Sequence, residues 1–474
     1  MKIFYSSILV LSSLLSATAQ TTFQKNYPSL YEQEGLDVLP TTDGGYMIAG
    51  YTTTNLLDDA DILIVKTDAL GDTVWTKSYG GPEPEFANSI VKTTDGNYFI
   101  IGFSQSFGGG DYDTWLLKVN PMGDTIWTKT YGSWGNEEGR EVIPTADGNY
   151  VITGFTDSPT PSNYNCFLTK IDPSGNIIWS KNYGGSGYDC GNSVRQCLDG
   201  GYIIIGETFS YGAGSCDAWL IKTNSSGDTT WTKTFGGPYR DEGKSIVTNS
   251  DGTYTLCVRD SSYGAGDIDV TIIKTTSTGI PIWTKTYGGT LKDTPKMIQP
   301  TTDGGYVVAC ISRSFGWVQP DMWILKLNAS GDTLWSRNYG GGDHEHCYSV
   351  RQMTDGGYIA IGKTKSYSSR NQTFFLKLNS MGTLGPVAIE EYANESFDPY
   401  PNPTEGLINI NLGEVSSPLE LTVFNNLGQS IYSEKIQRGA SSLMNLDLKG
   451  NPSGMYYMSL RSEKGTETRK VVLR

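Results

Sequence analysis

Trp127-Thr128-Lys129-Thr130-Tyr131-Gly132 is the stretch on which the reading of this chain turns, because it recurs. The pattern W-[TS]-[KR]-x-[YF]-G begins at Trp75, Trp127, Trp179, Trp231, Trp283 and Trp335, always 52 residues apart. A second pattern, Asp-Gly-x-Tyr, begins at Asp43, Asp95, Asp147, Asp199, Asp251, Asp303 and Asp355, again every 52 residues. Seven units without an insertion are one architecture, not several small domains. Within the unit that opens at Ser89, Ser89 to Lys92 reads as strand one and Asp95-Gly96 as a tight turn. Asn97 to Phe103 is strand two, and Ser104 to Tyr112 a variable loop. Asp113 to Val119 is strand three, Asn120 to Gly123 a turn, and Asp124 to Tyr131 strand four. Glycine suits such turns because it tolerates positive φ. One four-stranded sheet is marginal alone and buries both faces only by stacking on neighbours. Four-stranded units of this length are the sequence sign of a β-propeller.

The ends of the array point to closure. The seventh unit has no tryptophan of its own; Val387 stands near the expected place. The missing strand lies at the other end of the chain. Phe23-Gln24-Lys25-Asn26-Tyr27 matches Trp-Thr-Lys-x-Tyr, and Phe23 precedes Trp75 by 52 residues. A ring needs its last sheet completed to avoid an unpaired edge. The expectation is therefore all-β: a seven-bladed β-propeller over residues 20–386, closed by an N-terminal strand. Residues 387–400 read as a short acidic linker. Residues 401–474 lose the period and read as a small β-sandwich, with strands over 406–412, 419–424, 443–448, 454–460 and 466–473.

Composition excludes several classes. The chain has 474 residues, 57 of them glycine, without a Gly-x-x period, so it is not collagen. Aromatics at 12 % argue against wholesale disorder. Lys plus Arg is 36 against 50 acidic residues, a net charge of −14, which disfavours nucleic acid and anionic membranes as partners. Residues 1–19 read as a secretory signal peptide: Lys2, an apolar run from Ile3 to Leu15, then Ala17-Thr18-Ala19 before Gln20. No later apolar run reaches the length of a membrane-spanning helix. The seven cysteines show no CxxC pair, so zinc-ribbon and thioredoxin chemistry have no support; one local disulfide or buried free thiols both fit.

The tail carries a resemblance. Pro401-Asn402-Pro403-Thr404-x-Gly406 with Ile408-x-Ile410, then Val423-x-Asn425-x-x-Gly428, Gly454-x-Tyr456-x-x-x-Leu460 and Lys470-Val471-Val472 resemble the C-terminal sorting domain of the type IX secretion system of Bacteroidota. The resemblance implies an immunoglobulin-like sandwich, recognised by an outer-membrane translocon after Sec export. It makes the type IX machinery the partner of residues 401–474 and places the protein outside the cell or on its surface. The seven units also resemble repeats common in exported proteins of these bacteria.

Chemistry is sparse. His344 and His346 are the only histidines, too few for a zinc site without other placed ligands. No GxSxG with a partnering histidine and no HExxH is present. The loop carboxylates Glu83, Glu85, Glu137 and Glu138 follow the period more simply than they form a hydrolytic pair. Two acidic sets are periodic: Glu85, Glu137, Asp189, Asp241, Asp293 and Glu345, and Asp61, Asp113, Asp217, Asp269 and Asp321, with Asn165 and Thr373 completing seven. Asp59, Asp111 and Asp267 precede three of the second set. Such D-x-D pairs, Asp59/Asp61, Asp111/Asp113 and Asp267/Asp269, offer hard oxygens to calcium, or else cap local turns. No other cofactor is indicated, and no catalytic residue.

If strand four is outermost, both acidic sets meet the variable loops on one face. That face carries Phe107, Tyr112, Trp134, Tyr164, Tyr188, Tyr211, Tyr239, Tyr263, Trp317 and Tyr348, a composition suited to sugars or proteins. The leading expectation is a secreted or cell-surface binding and scaffold protein. An extracellular glycan-acting hydrolase and a structural surface or matrix component are the alternatives. An enzyme predicts non-repeated polar residues converging in a central pocket; a binder predicts an aromatic patch.

Overall fold

The computed structural model describes residues 20–53, 59–157, 164–316, 319–385, 398–412, 418–425, 430–437, 443–462 and 465–474. The signal-peptide reading of residues 1–19 lies outside them, as does all of the expected linker except 398–400. The chain divides into two compact units, Met1–Val387 and Ala388–Arg474.

The first unit is a ring of seven four-stranded antiparallel sheets, six of them simple meanders and the seventh completed from the N-terminus. Blade 2 is typical: Glu85–Lys92, Tyr98–Ser104, Asp113–Val119 and Thr125–Tyr131. First strands of successive blades touch one another, and blade 7 touches blade 1. First strands therefore surround the axis. Fourth strands are outermost and alternate between exposed and half-buried positions. Blade 7 is Glu345–Gln352, Tyr358–Thr364 and Gln372–Leu378, completed by Phe23–Tyr27. That strand pairs from Phe23 opposite Lys377 to Tyr27 opposite Thr373.

The repeated outer motif is a clasp. Its first, third and fifth residues share one face of strand four, and all three address a turn of the next blade. Trp75 packs on Gly123 so closely that an added Cβ there would lie 2.7 Å from the indole. Lys77 pairs with Asp124 at 2.7 Å, and the Tyr79 hydroxyl donates to the Gly123 carbonyl. Trp127 and Tyr131 repeat this on Gly175, and Trp179, Lys181 and Tyr183 on Gly227 and Asp228. Phe23, Lys25 and Tyr27 do the same to Gly71 and Asp72 of blade 1, with the Tyr27 hydroxyl 2.8 Å from the Gly71 carbonyl. Gly123 has φ +78°, so its turn needs glycine for its backbone as well as for the indole.

The Asp-Gly turn does more than reverse the chain. Lys118 on strand three is buried, and its ammonium reaches Asp95 of the turn at 2.7 Å. Lys66–Asp43, Lys170–Asp147, Lys222–Asp199, Lys326–Asp303 and Lys377–Asp355 are the same pair. Hydrogen bonds from Thr41 and Lys66 hold the Asp43 carboxyl down to about 2. The tyrosine that follows, Tyr98 or Tyr306 for example, is buried in the contact between blades. All seven cysteines are free and buried, and burial pushes the Cys190 thiol up to about 12.

One register differs from the sequence expectation. Asp113 pairs with Ser104, and Asp321 with Ser312, but in blade 7 it is Gln372 that pairs with Thr364. The loop there is one residue shorter, so Gln372, not Thr373, completes the aspartate series.

The second unit is a sandwich. Asp398–Tyr400, Leu407–Asn411 and Leu443–Asp447 form one sheet. Ser430–Ile436, Leu419–Phe424, Gly454–Ser462 and Gly465–Leu473 form the other. Ile408, Ile410 and Leu446 from the first sheet share one core with Leu421, Val423, Met458 and Val471 from the second. Two strands go beyond the sequence expectation. Asp398–Tyr400, expected to end the linker, pairs with Leu407–Asn411. Ser430–Ile436 buries only Ile436, so it lacks clear apolar alternation.

Candidate functional site

In each blade the second-to-third-strand loop and the entry to the first strand lie on the same face, and there the two acidic series meet. In blade 2 the Asp113 Oδ2 accepts the N–H groups of Gly109 and Gly110 at 2.9 and 3.0 Å. Glu137, which opens blade 3, accepts the Thr156 hydroxyl at 2.8 Å and the Ser133 N–H at 3.3 Å. Gly132 lies between the two carboxylates: an added Cβ would sit 2.2 Å from Asp113 and 2.3 Å from Glu137. Asp61 with Glu85, Asp217 with Asp241, Asp269 with Asp293 and Asp321 with Glu345 flank Gly80, Gly236, Gly288 and Gly340 in the same way. Burial first, then the neighbouring carboxylate, pushes the Asp61 and Asp269 carboxyls up. Within the D-x-D pairs the residues separate: Asp111 and Asp267 are exposed and Asp59 half-buried, while Asp113 and Asp269 are buried. Among the described residues no group of three or more His, Cys, Asp or Glu converges as a metal-ligand set. The two histidines part as well. His344 Nδ1 lies 2.6 Å from Asp343, and His346 Nδ1 lies 3.1 Å from the Tyr348 hydroxyl.

Blade 5 breaks the pattern. Phe107 leans on Trp115 at 5.2 Å, Tyr211 on Trp219 at 5.5 Å and Phe315 on Trp323 at 5.2 Å between ring centroids. In blade 5 the residue at the tryptophan's register is Thr271, opposite Val258, where blades 2 and 4 have glycine and blade 6 has Cys310. A cavity of about 310 Å³ results, lined by Tyr263, Thr271, Asp241 and Asp260 among others. Asp260 stands where Ser104, Thr156, Thr208 and Thr364 each donate a hydroxyl to the carboxylate that opens their own blade. It accepts the N–H groups of Ser262 and Tyr263 and the Thr271 hydroxyl. Burial, with Asp241 adding, pushes its carboxyl up. A raised acid favours the fold when protonated, so the wild type loses stability as pH rises through that raised value. Asp260→Thr replaces repulsion with a hydrogen bond to Asp241. It should stabilise by about 1 kcal/mol at pH 7, with the gain vanishing below about pH 4; thermal unfolding across that range reads it.

The aromatics of this face divide into two groups. Phe107, Trp134, Tyr211, Tyr239 and Tyr263 are exposed, Trp134 at 88 %. Tyr112, Tyr164, Tyr188 and Tyr348 are half-buried. Trp317 lies outside the described residues. The inward group extends a chain of rings across blades 1 to 4: Tyr51–Phe86 at 4.6 Å, Phe86–Phe103 at 5.2 Å, Phe103–Tyr112 at 5.3 Å, Tyr112–Phe155 at 6.3 Å and Phe155–Tyr188 at 5.6 Å.

Charged residues share this inner zone, which the sequence reading missed. Glu34 pairs with Lys363 at 2.7 Å and accepts the Tyr348 hydroxyl at 2.7 Å, across the junction of blades 1 and 7. Arg140 pairs with Glu138 at 3.0 Å. Arg240 bridges Glu207 and Glu242, and Glu242 also holds Lys244 and Arg259. These residues sit at non-repeated positions. Where the ladder pairs Glu34 with Tyr51, the other blades pair Phe86 with Phe103, Glu138 with Phe155, Cys190 with Glu207, Glu242 with Arg259, Thr294 with Ile311 and His346 with Lys363.

Comparison with known proteins identifies one part of the chain. Residues 399–474 match the family described as secretion system C-terminal sorting domain. The tail is therefore a type IX sorting domain, and the protein is exported to the cell surface or the extracellular space. The regulatory protein FlaEY of Caulobacter vibrioides is 21 % identical over 215 residues. The match covers 41 % of this chain and 22 % of that protein, so the chain spans about a fifth of its relative's length. Among solved structures, the Neurospora crassa Pan2 WD40 domain aligns at TM-score 0.47 and 9 % identity, over 75 % of this chain and 94 % of that one. Sqt1 from Chaetomium thermophilum aligns at TM-score 0.40 and 10 % identity, over 74 % and 99 %. Among the described residues no helix is long and apolar enough to cross a membrane.

Proposed function

We propose that this chain is an extracellular binding protein: type IX secretion delivers it, and the propeller contacts a glycan or a protein through the face that bears the variable loops. The observation that carries the reading is the contrast between frame and face. Clasp, Asp-Gly turn and buried tyrosine recur around the ring, while five exposed aromatics and a non-repeated inner zone gather on one side of it. A scaffold held constant under variable, aromatic loops is an arrangement built for contact. Stacking of sugar rings or of protein side chains on Trp134, Tyr239 and Tyr263 would supply the affinity, and loop amides and carboxylates the specificity.

A screen of the mature full chain against surface glycans and surface proteins tests this. Trp134→Ala with Tyr239→Ala should weaken the captured ligand at least about tenfold without lowering the unfolding temperature. Equal capture by the double variant would move the contact elsewhere.

A further inference from the structure

The first strand of every blade contains one bulged residue that leaves the ladder. The register jumps from Gly139 to Glu141, from Gly243 to Ser245 and from Pro295 to Met297. The residues skipped are Arg140, Lys244 and Lys296, and a bulge re-aims the side chain it carries. First strands surround the axis, so these side chains belong to the central channel. Blades 5 and 6 are neighbours, and blade 3 lies three places from blade 6 in the ring of seven, so the bulge of Arg140 stands across the channel from that of Lys296.

Two of the three cations have a carboxylate: Arg140 pairs with Glu138, and Lys244 with Glu242. Lys296 has none among the described residues. Its ammonium lies 5.7 Å from the centre of the Tyr348 ring. Burial first, then Lys244, Arg140 and Arg259 against the pull of Glu242, brings its pKa down to about 8. The field extends to the next blade, where burial and then Lys363 and Lys296 push His346 down to about 3. A half-buried ammonium without a counter-ion, among other cations, is costly. Here it occurs in a chain whose net charge is −14.

We propose that the mouth of this channel binds a small oxyanion, a carboxylate or phosphate group borne by an extracellular ligand, on Lys296 and Lys244 with Arg140 facing them. The proposal rests on the reading of this face as a binding surface and gives its ligand a chemistry. Lysine and arginine hydrogen bonds to such a group are charge-assisted, and the partly dry channel strengthens them.

Titration calorimetry of the mature full chain at pH 7 and low salt tests it, with sodium phosphate and sodium glucuronate as separate probes and glucose as the neutral control. Saturable binding tighter than about 1 mM is expected for at least one anion. A response to phosphate alone indicates a phosphate-bearing ligand; a response to glucuronate alone indicates an acidic sugar. Lys296→Met and Lys244→Met should each weaken binding at least tenfold, and Lys296→Met should leave the unfolding temperature equal or higher. Lys435→Met, on the sorting domain, should change nothing. Wild-type binding should also weaken between pH 7 and 9.5, as the Lys296 ammonium loses its proton. Saturation by neither anion, or equal affinity in Lys296→Met, overturns the site. Anion binding retained while the loop-aromatic variant still captures its glycan or protein would fault the binding-face reading instead.

Discussion

Deleting Phe23–Tyr27 should open the ring, with loss of the cooperative unfolding transition or a fall in unfolding temperature of more than about 10 °C. Five residues carry this effect because they are the whole fourth strand of blade 7. Without them the strand Gln372–Leu378 becomes an edge, with its backbone groups unpaired and Phe374, Phe375 and Leu376, all fully buried, brought nearer to water. Phe23 meets Phe375 at 5.1 Å and Tyr46 at 6.0 Å, so it bonds blade 7 to blade 1 as well as closing the sheet. Loss of an aromatic in such a position costs about 2–4 kcal/mol by itself. The Lys25–Asp72 pair, the Tyr27 hydroxyl bond and the ladder are lost with it. The sum approaches the total stability of an ordinary domain. A peptide spanning residues 20–32 should restore the transition when added in trans, because an exposed edge accepts a matching strand. Calorimetric unfolding of the deleted protein, alone and with peptide, decides it; an unchanged transition would mean that the ring is held shut elsewhere. The deletion leaves the non-covalent contacts between blades 7 and 1 at the channel. Arg351 still holds Asp37 at 2.9 Å, and Lys363 still holds Glu34. Separate destabilisation of the outer and inner closures is thus measurable.

The frame is legible in the sequence for a physical reason. Each blade meets its neighbour through the same few contacts, so Trp75, Lys77 and Tyr79 must recur wherever a following turn presents Gly123 and Asp124. The spacing of Phe23-x-Lys25-x-Tyr27 is enough to assign it to blade 7, because chemistry that grips a Gly-Asp turn is the same at the closure as elsewhere. The meeting of the two acidic series also follows from topology alone. What stays hidden is of another kind. The partnership of Lys118 with Asp95 is hidden because strand three reads as a continuous apolar run interrupted by a lysine, and nothing local says where the ammonium goes. The inner zone is hidden because a search for periodicity discards it: Arg140, Lys244 and Lys296 occupy one repeat position that also holds Leu36, Asn88, Asn192 and Tyr348. The signal lies in the breaks. Thr271 for a large apolar residue, Val258 for the glycine of most blades and Asp260 for a hydroxyl residue are three further breaks in one blade, and together they mark the cavity. In a closed ring, repeated rows describe the frame and irregular rows describe the surface that the frame presents.

Removal of residues 399–474 should abolish appearance of the protein outside the cell, with the ring unit retained inside the outer membrane. The geometry of the sorting domain sharpens this into a smaller deletion with the same outcome. The head motif and the tail motif are one structure. The Asn402 side chain donates to the Lys470 carbonyl at 2.6 Å and accepts the Val472 N–H at 3.0 Å. The Thr404 N–H donates to Val472 at 2.8 Å, and the Arg474 N–H donates to Thr404 at 2.9 Å. Val471 and Leu473 are buried in the core that joins the two sheets. Loss of Lys470–Arg474 therefore strips the partners from Asn402 and Thr404 and takes two apolar residues from a small core, where about 2–5 kcal/mol is most of the stability present. Truncation after Arg469 should block export as fully as loss of the whole domain. Asn402→Ala, which removes two hydrogen bonds and leaves the core, should reduce export only in part. Cell fractionation with an antibody against the ring unit reads all three proteins. Full export of the five-residue truncation would show that the translocon reads the sequence of the head motif without the sandwich; export of the larger deletion would mean that the address lies elsewhere in the chain.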